Sequence, residues 1–311
     1  MNDPIQNIAL LFAVQDNPSI QAAWLDHGTN PPTLHLRTTG PPRDQDPNAL
    51  PLQNHEPLLL HPQLQGLPAV IKTTRPLHDL RLPLPLGTPF NAHQDCQDEP
   101  VQMGTQLQPA GGNWVGTAGL PIKWIDKDAN PHWGVLSNWH VMCTASAKKR
   151  HPQHQPTVAN TPIAFLADWN AITPSGTHYL DAAIADAYRD GFHTISNQIL
   201  GIGQIGDHTI EAKVGLDVIK SGRTTAVTIA RCTAIGAVVK IGYDGFTATF
   251  ADQDVFEDTG GHFSQPGDSG SAILGASCLC PCSLLFAGGG NLTIGNPMRY
   301  ASTRFDLAFP F

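Results

Sequence analysis

Positive charge is in short supply: 18 lysines and arginines stand against 26 aspartates and glutamates, a formal net charge of -8. No global field therefore favours nucleic acid or an anionic membrane surface. Long apolar runs are also lacking near the start. The stretch Ile8 to Val14 is too short to cross a bilayer, and the acidic Asp3 stands where a secretory leader needs basic residues. The expected location is the cytoplasm, with no membrane partner. Cysteine is sparse, six residues in 311, and without a leader these read as reduced thiols rather than bridges. A chain of this length buries most of its apolar surface, so folding demands neither disulfides nor metal.

Glycine is scarce in one region only. Residues 1–109 hold 5 of the 29 glycines but 17 of the 27 prolines, a compositional break that predicts two modules. A small N-terminal α+β domain is expected over 1–78, with "IALLFAV" and "LPAVIK" as strands, and a Pro-rich linker over 79–108. From Gly111 onward, short runs rich in Val, Ile, Thr and Ala alternate with Gly, Asn and Asp, and "GLPIKWID", "TPIAFLADW", "LDVIKSG" and "SLLFAGGG" read as strands or hairpins. Helical periodicity is scarce. The prediction is a mostly β closed barrel or sandwich, without internal repeats.

Three stretches carry chemistry. A serine hydroxyl is a poor nucleophile near neutral pH; it needs a base to take its proton and an acid to orient that base. "GVLSNWHVM" sets His140 at the end of an apolar strand, "YLDAAIADA" sets Asp181 at the start of another, and "FSQPGDSGSAIL" holds Ser269 between glycines. In that last stretch Gly267 and Gly270 permit a tight turn in which the amides of Gly267 and Ser269 point at one spot, as an oxyanion hole requires. Taken singly, "GDSG" is as well read as a turn, His140 as a core histidine and Asp181 as a strand-start residue.

In order and spacing, "SNWHV", "LDAAIA" and "GDSGS" resemble the chymotrypsin-like (trypsin-fold) serine proteases over roughly residues 109–311. With "VIKSGRTTAVT" and "LLFAGGGNLTIGNPM", the chain is most similar to intracellular bacterial trypsin-like peptidases and plant narrow-leaf-type proteases. The resemblance implies two six-stranded antiparallel β-barrels, at about 109–190 and 191–311. It implies His140 as general base, Asp181 as its orienter and Ser269 as nucleophile of a serine endopeptidase acting on protein or peptide substrates, without cofactor. A catalytically silent adaptor and an esterase are the alternatives. The specificity pocket would be formed by Phe263, Ser264 and Gln265 on one side and Ala287, Gly288 and Gly289 on the other, with no acid to hold a substrate Lys or Arg; small or medium apolar residues are expected before the cut. Trp139 and Ala226 replace an asparagine and a glycine usual in the family, and Val141 takes the place of a bridged cysteine in secreted relatives.

No activation site is recognisable near Gly111, so Asp268 is expected to find a partner other than a new N-terminus, and the chain as translated to react with an active-site probe. Arg223 in "KSGRTT" reads equally as a shaper of the oxyanion loop or as a solvated hairpin residue. Cys278, Cys280 and Cys282 read as thiols of a hairpin loop, with no metal site, and His151 and His154 as residues of a solvent-exposed loop. The N-terminal module, whose Pro-rich segments are preset in extended form, is expected to recruit substrates or to mediate self-association or contact with a regulatory protein, a passive cap being the alternative.

Overall fold

A computed structural model describes residues 4–15, 19–39, 64, 67–83, 92–126, 128–189, 192–258 and 262–308. The chain is mostly β, as its alternating Val- and Ile-rich runs require. Two sheets of eleven and nine strands hold the described core. No described helix is long and apolar enough to cross a membrane.

In the larger sheet, Ala226–Tyr243 and Phe246–Glu257 form a long antiparallel hairpin. Pairings then run through Leu292–Pro297, Pro281–Gly289, Ala272–Gly275 and Asp217–Gly222 and back to Ala226–Tyr243, a closed circuit of six strands. Closure needs curvature. Three register shifts between Cys232 and Val239 supply it, since each bulge adds a residue on one strand and bends it. Phe256 and Leu285 are buried in one apolar cluster of this sheet, and Phe250, Phe286 and Ile294 in another.

The smaller sheet runs in the order Leu307–Ala308, Leu120–Ile125, Pro131–Ser137, Ala183–Asp186, Pro162–Trp169, Pro152–His154, Thr105–Pro109, Trp114–Ala118 and Leu82–Pro83. Gly119 joins Trp114–Ala118 directly to Leu120–Ile125, which wraps the sheet around Leu107, Leu120, Ile122, Val135, Leu166 and Ile184.

Several expected boundaries are revised. "IALLFAV" lies in the helix Pro4–Gln15 rather than in a strand. An unbroken apolar run does not by itself distinguish the two, and the helix is decided by burial of Ala9, Leu10, Ala13 and Val14 against Ile20, Ala23 and Val238. Residues 1–78 are not a separate body where described: Ile20–Asp26 pairs with Ala226–Tyr243 through Ala22–Val239 and Ala23–Val238, and Thr33–Thr38 and Ala69–Thr73 continue the larger sheet. The 79–108 segment is not a linker at its ends. Leu82–Pro83 and Thr105–Pro109 belong to the smaller sheet; residues 84–91 lie outside the described residues. Leu307–Ala308, expected with the second barrel, pairs with Leu120–Ile125 of the smaller sheet.

Candidate active site

His140 sits on a single helical turn, Trp139–Met142, that follows the strand Pro131–Ser137 through Asn138. Asn138 Nδ2 donates to the Asp181 carbonyl at 2.8 Å, tying this turn to the chain that leads into Ala183–Asp186. The two functional side chains meet. His140 Nδ1 donates to Asp181 Oδ2 at 2.6 Å, and the His140 amide donates to Oδ1 at 3.3 Å. Both residues are buried. Tyr243 adds a third donor, its hydroxyl reaching Asp181 Oδ2 at 2.6 Å. Burial, and then the charge of Asp181, raise the Tyr243 phenol well above its ordinary range, so it stays a donor. The Asp181 amide donates to Asn296 Oδ1 at 2.9 Å. These bonds fix one tautomer: with Nδ1 carrying the proton, Nε2 presents its lone pair, and among the described residues it is buried without a hydrogen-bond partner.

Ser269 follows a turn built on Gly267, whose φ of +103° suits glycine; a Cβ there would lie 2.3 Å from Thr224 Oγ1. Asp268, fully buried, holds the turn. Its carboxylate accepts from the amides of Thr224 at 2.8 Å, Thr225 at 3.2 Å and Gln265 at 3.0 Å, and from the Thr225 hydroxyl at 2.7 Å. The charge partner is Lys220, also fully buried, with Nζ 3.5 Å from Asp268 Oδ2. Burial lowers the Lys220 pKa and Asp268 opposes that. The partner expected for Asp268 is therefore an internal lysine. Arg223 is buried, not a solvated hairpin residue: its Nε donates to Gln106 Oε1 at 2.7 Å and its side chain underlies Gly267. Thr117, from the smaller sheet, clamps the turn. Its amide donates to the Ser269 carbonyl at 2.8 Å, and its hydroxyl donates to the Gly267 carbonyl at 2.9 Å while accepting from the Arg223 amide.

The groove beside this turn holds the protein's own chain. Asp79 and His78 pair antiparallel with Ala287 and Gly288, and beyond Arg81, Leu82 and Pro83 pair antiparallel with Val115 and Trp114. Leu80 lies across Ser269. Its carbonyl accepts from the Gly267 amide at 2.5 Å, and its amide donates to Ser269 Oγ at 2.9 Å and to the Phe286 carbonyl at 3.4 Å. Its side chain is buried with Phe263 and Leu285, and a Cβ on Gly288 would lie 3.0 Å from its Cδ1. Ser269 Oγ donates at 3.1 Å to the Phe286 carbonyl, not to His140. Ser269 is fully buried and the segment 78–83 lies over its hydroxyl, so an active-site probe must displace that segment to reach it.

The expected pocket residues divide. Phe263, Ala287 and Gly288 surround the covering segment, and Gly289 lies against Pro76, where a Cβ would meet the carbonyl at 2.8 Å. Ser264 Oγ bonds Thr293 Oγ1 at 2.5 Å, beside Gly288, whereas Gln265 contributes its amide to Asp268. His151 and His154 are not in an exposed loop: they bond the carbonyls of Ala110 and Asn160 at 2.6 and 2.8 Å, around the strand Pro152–His154. Cys278 is exposed at the turn before Pro281–Gly289, Cys280 faces His208, and Cys282 lies in the core. Tyr243, Thr117 and Lys220 were not evident from motifs. Only Lys220 left a signal, standing two residues from Val218 on the inward face of its strand, where a cation requires a partner.

No family model matches the chain, and no curated protein matches it in sequence. Among solved structures, it is similar to Cellulomonas bogoriensis chymotrypsin (18% identity, 68% of this chain and 98% of that one, TM-score 0.47). A glutamic acid specific serine protease that uses a histidine triad in substrate binding is similar at 18% identity (68% and 100% covered, TM-score 0.48), as is Nocardiopsis protease at 15% (68% and 99%, TM-score 0.48).

Proposed function

We propose that this chain is a serine endopeptidase of the chymotrypsin-like kind, its two wrapped sheets being two six-stranded barrels. The closed pairing circuit of the larger sheet and the direct passage through Gly119 from Trp114–Ala118 into Leu120–Ile125 in the smaller one support that reading. The observation that carries the function is the buried His140–Asp181 pair, at 2.6 Å, whose outer nitrogen has no hydrogen-bond partner among the described residues, together with a glycine-flanked turn that already binds a peptide carbonyl. An adaptor needs a peptide groove but has no use for such a base.

In this mechanism His140 Nε2 takes the proton of Ser269 as Oγ attacks the carbonyl carbon of an extended substrate strand. Asp181 and Tyr243 hold the imidazole and stabilise the imidazolium that forms. The amides of Gly267 and Ser269 receive the oxyanion, in a turn held by the Lys220–Asp268 pair. The proton then passes to the leaving amine, and water hydrolyses the acyl-enzyme. The pocket of Phe263, Ser264 and Gly288 offers no carboxylate and takes a medium apolar side chain.

The test is cleavage of a peptide with leucine before the cut, measured on the native chain and on Ser269→Ala, His140→Ala and the double variant. Activity falls by orders of magnitude in each single variant, and the double is little worse, because the groups act as a unit. Undiminished cleavage by Ser269→Ala refutes the assignment.

A further inference from the structure

The segment that covers Ser269 is seated as a substrate strand would be. We propose that the chain cuts itself between Leu80 and Arg81, making residues 78–83 the enzyme's first substrate and the sequence Asp-Leu-Arg a template for others. This rests on the serine endopeptidase reading above and adds its first cleavage site.

The register argues for it. Antiparallel pairing flanks the Leu80–Arg81 bond on both sides, through Asp79–Ala287 before it and Leu82–Val115 after it. Strand addition at both ends leaves that peptide bond as the link that crosses the serine between two paired stretches. The Leu80 carbonyl is on the Gly267 amide at 2.5 Å, where the developing oxyanion needs a donor. The Leu80 side chain fills the pocket to 6% exposure. Because strand and serine share one chain, the effective concentration is of the order of millimolar or more.

Attack requires an exchange of hydrogen bonds at the serine. Ser269 Oγ now bonds the Phe286 carbonyl and accepts from the Leu80 amide, while the lone pair of His140 Nε2 is unused. The hydroxyl must give up those two partners and donate instead to His140 Nε2. The hydroxyl proton then passes to Nε2 as Oγ bonds to the Leu80 carbon. The Leu80–Arg81 C–N bond breaks as that proton moves to the Arg81 nitrogen, leaving a Leu80 ester on Ser269. Water adds to the ester, giving a free Leu80 carboxylate and restoring the serine.

An ion pair spans the bond. Arg81 Nε lies 3.3 Å from Asp79 Oδ2, and the guanidinium carbon sits 4.8 Å from the Trp114 ring centroid. The cut severs the covalent tie that holds these charges together, so once Arg81 leaves, Asp79 is a buried carboxylate without its cation, which favours departure of the product strand.

The experiment is intact mass and N-terminal sequencing of the freshly purified full chain, of Ser269→Ala, and of Leu80→Glu, whose charge the apolar pocket rejects; Leu80→Gly serves if that variant does not fold. The same three are assayed on the peptide His-Asp-Leu-Arg-Leu. The native chain is expected as two pieces with a new N-terminus at Arg81. Ser269→Ala should remain one piece, and Leu80→Glu should stay intact yet cleave the peptide. An intact native chain beside an active Leu80→Glu overturns self-cleavage and leaves the endopeptidase reading standing. Ser269→Ala cut at the same bond also overturns it, since a foreign protease then made the cut. Failure of every variant to cleave anything defeats both readings.

Discussion

Lys220 places a fully buried ammonium 3.5 Å from the Asp268 carboxylate. Neither charge has water to fall back on, and removing one leaves the other uncompensated. Lys220→Met, which keeps the unbranched shape, is expected to cost about 3–5 kcal/mol in denaturant unfolding and to loosen the turn carrying Ser269. Loss of less than about 1 kcal/mol would show that the backbone donors to Asp268 suffice. Ala226 is the opposite case, a position where the sequence is not at its optimum. It adopts φ +53°, where a Cβ crowds the backbone, and the resemblance had pointed to this position as one where glycine is usual. Ala226→Gly should raise stability by about 1 kcal/mol, read as a shift of the unfolding midpoint at unchanged slope.

Among the elements, the strands Phe246–Glu257 and Pro281–Gly289 enclose a carboxyl group that titrates late. Burial pushes Asp254 up to about 7, against the opposing donation of the Ser283 hydroxyl at 2.5 Å. Below about pH 4 the group is protonated in the folded and unfolded chain alike. As pH rises from there to 7, the unfolded chain releases the proton first, so this carboxyl removes stability over that window and by a constant amount above it. The stability difference between the native chain and Asp254→Asn should therefore move in favour of the variant, by up to a few kcal/mol, between pH 4 and 7. A difference that does not change with pH would place Asp254 in ordinary titration. Which strands form was largely legible, because runs such as "TPIAFLADW" and "LDVIKSG" are short, apolar and bounded by turn residues, and they lie in the strands Pro162–Trp169 and Asp217–Gly222. What they pair with was not. Ile20–Asp26 adds to a strand more than two hundred residues later, and nothing in either stretch declares that edge. "IALLFAV" was misread because its apolar run has no clear period, and tertiary burial decided for a helix.

For the whole molecule, the same limit governs the site. His140, Asp181 and Ser269 stand in compact local motifs and were visible; the first two are in direct contact, while the hydroxyl of Ser269 is turned away from the base. Tyr243 and Thr117 were invisible, since each acts across the boundary between strands that only the fold brings together. The covering segment was missed for a different reason. Pro83 reads as a breaker of regular structure, which it is, but an extended strand seated between two sheet edges needs few ladder bonds of its own and tolerates it. If Ser269 is the nucleophile proposed and Leu80 conceals it, fluorophosphonate labels the full-length Leu80→Glu chain at that serine, as located by peptide mass. One adduct on Ser269, absent from the Leu80→Glu, His140→Ala double variant, is predicted; a folded Leu80→Glu chain that takes no label at Ser269 would contradict it.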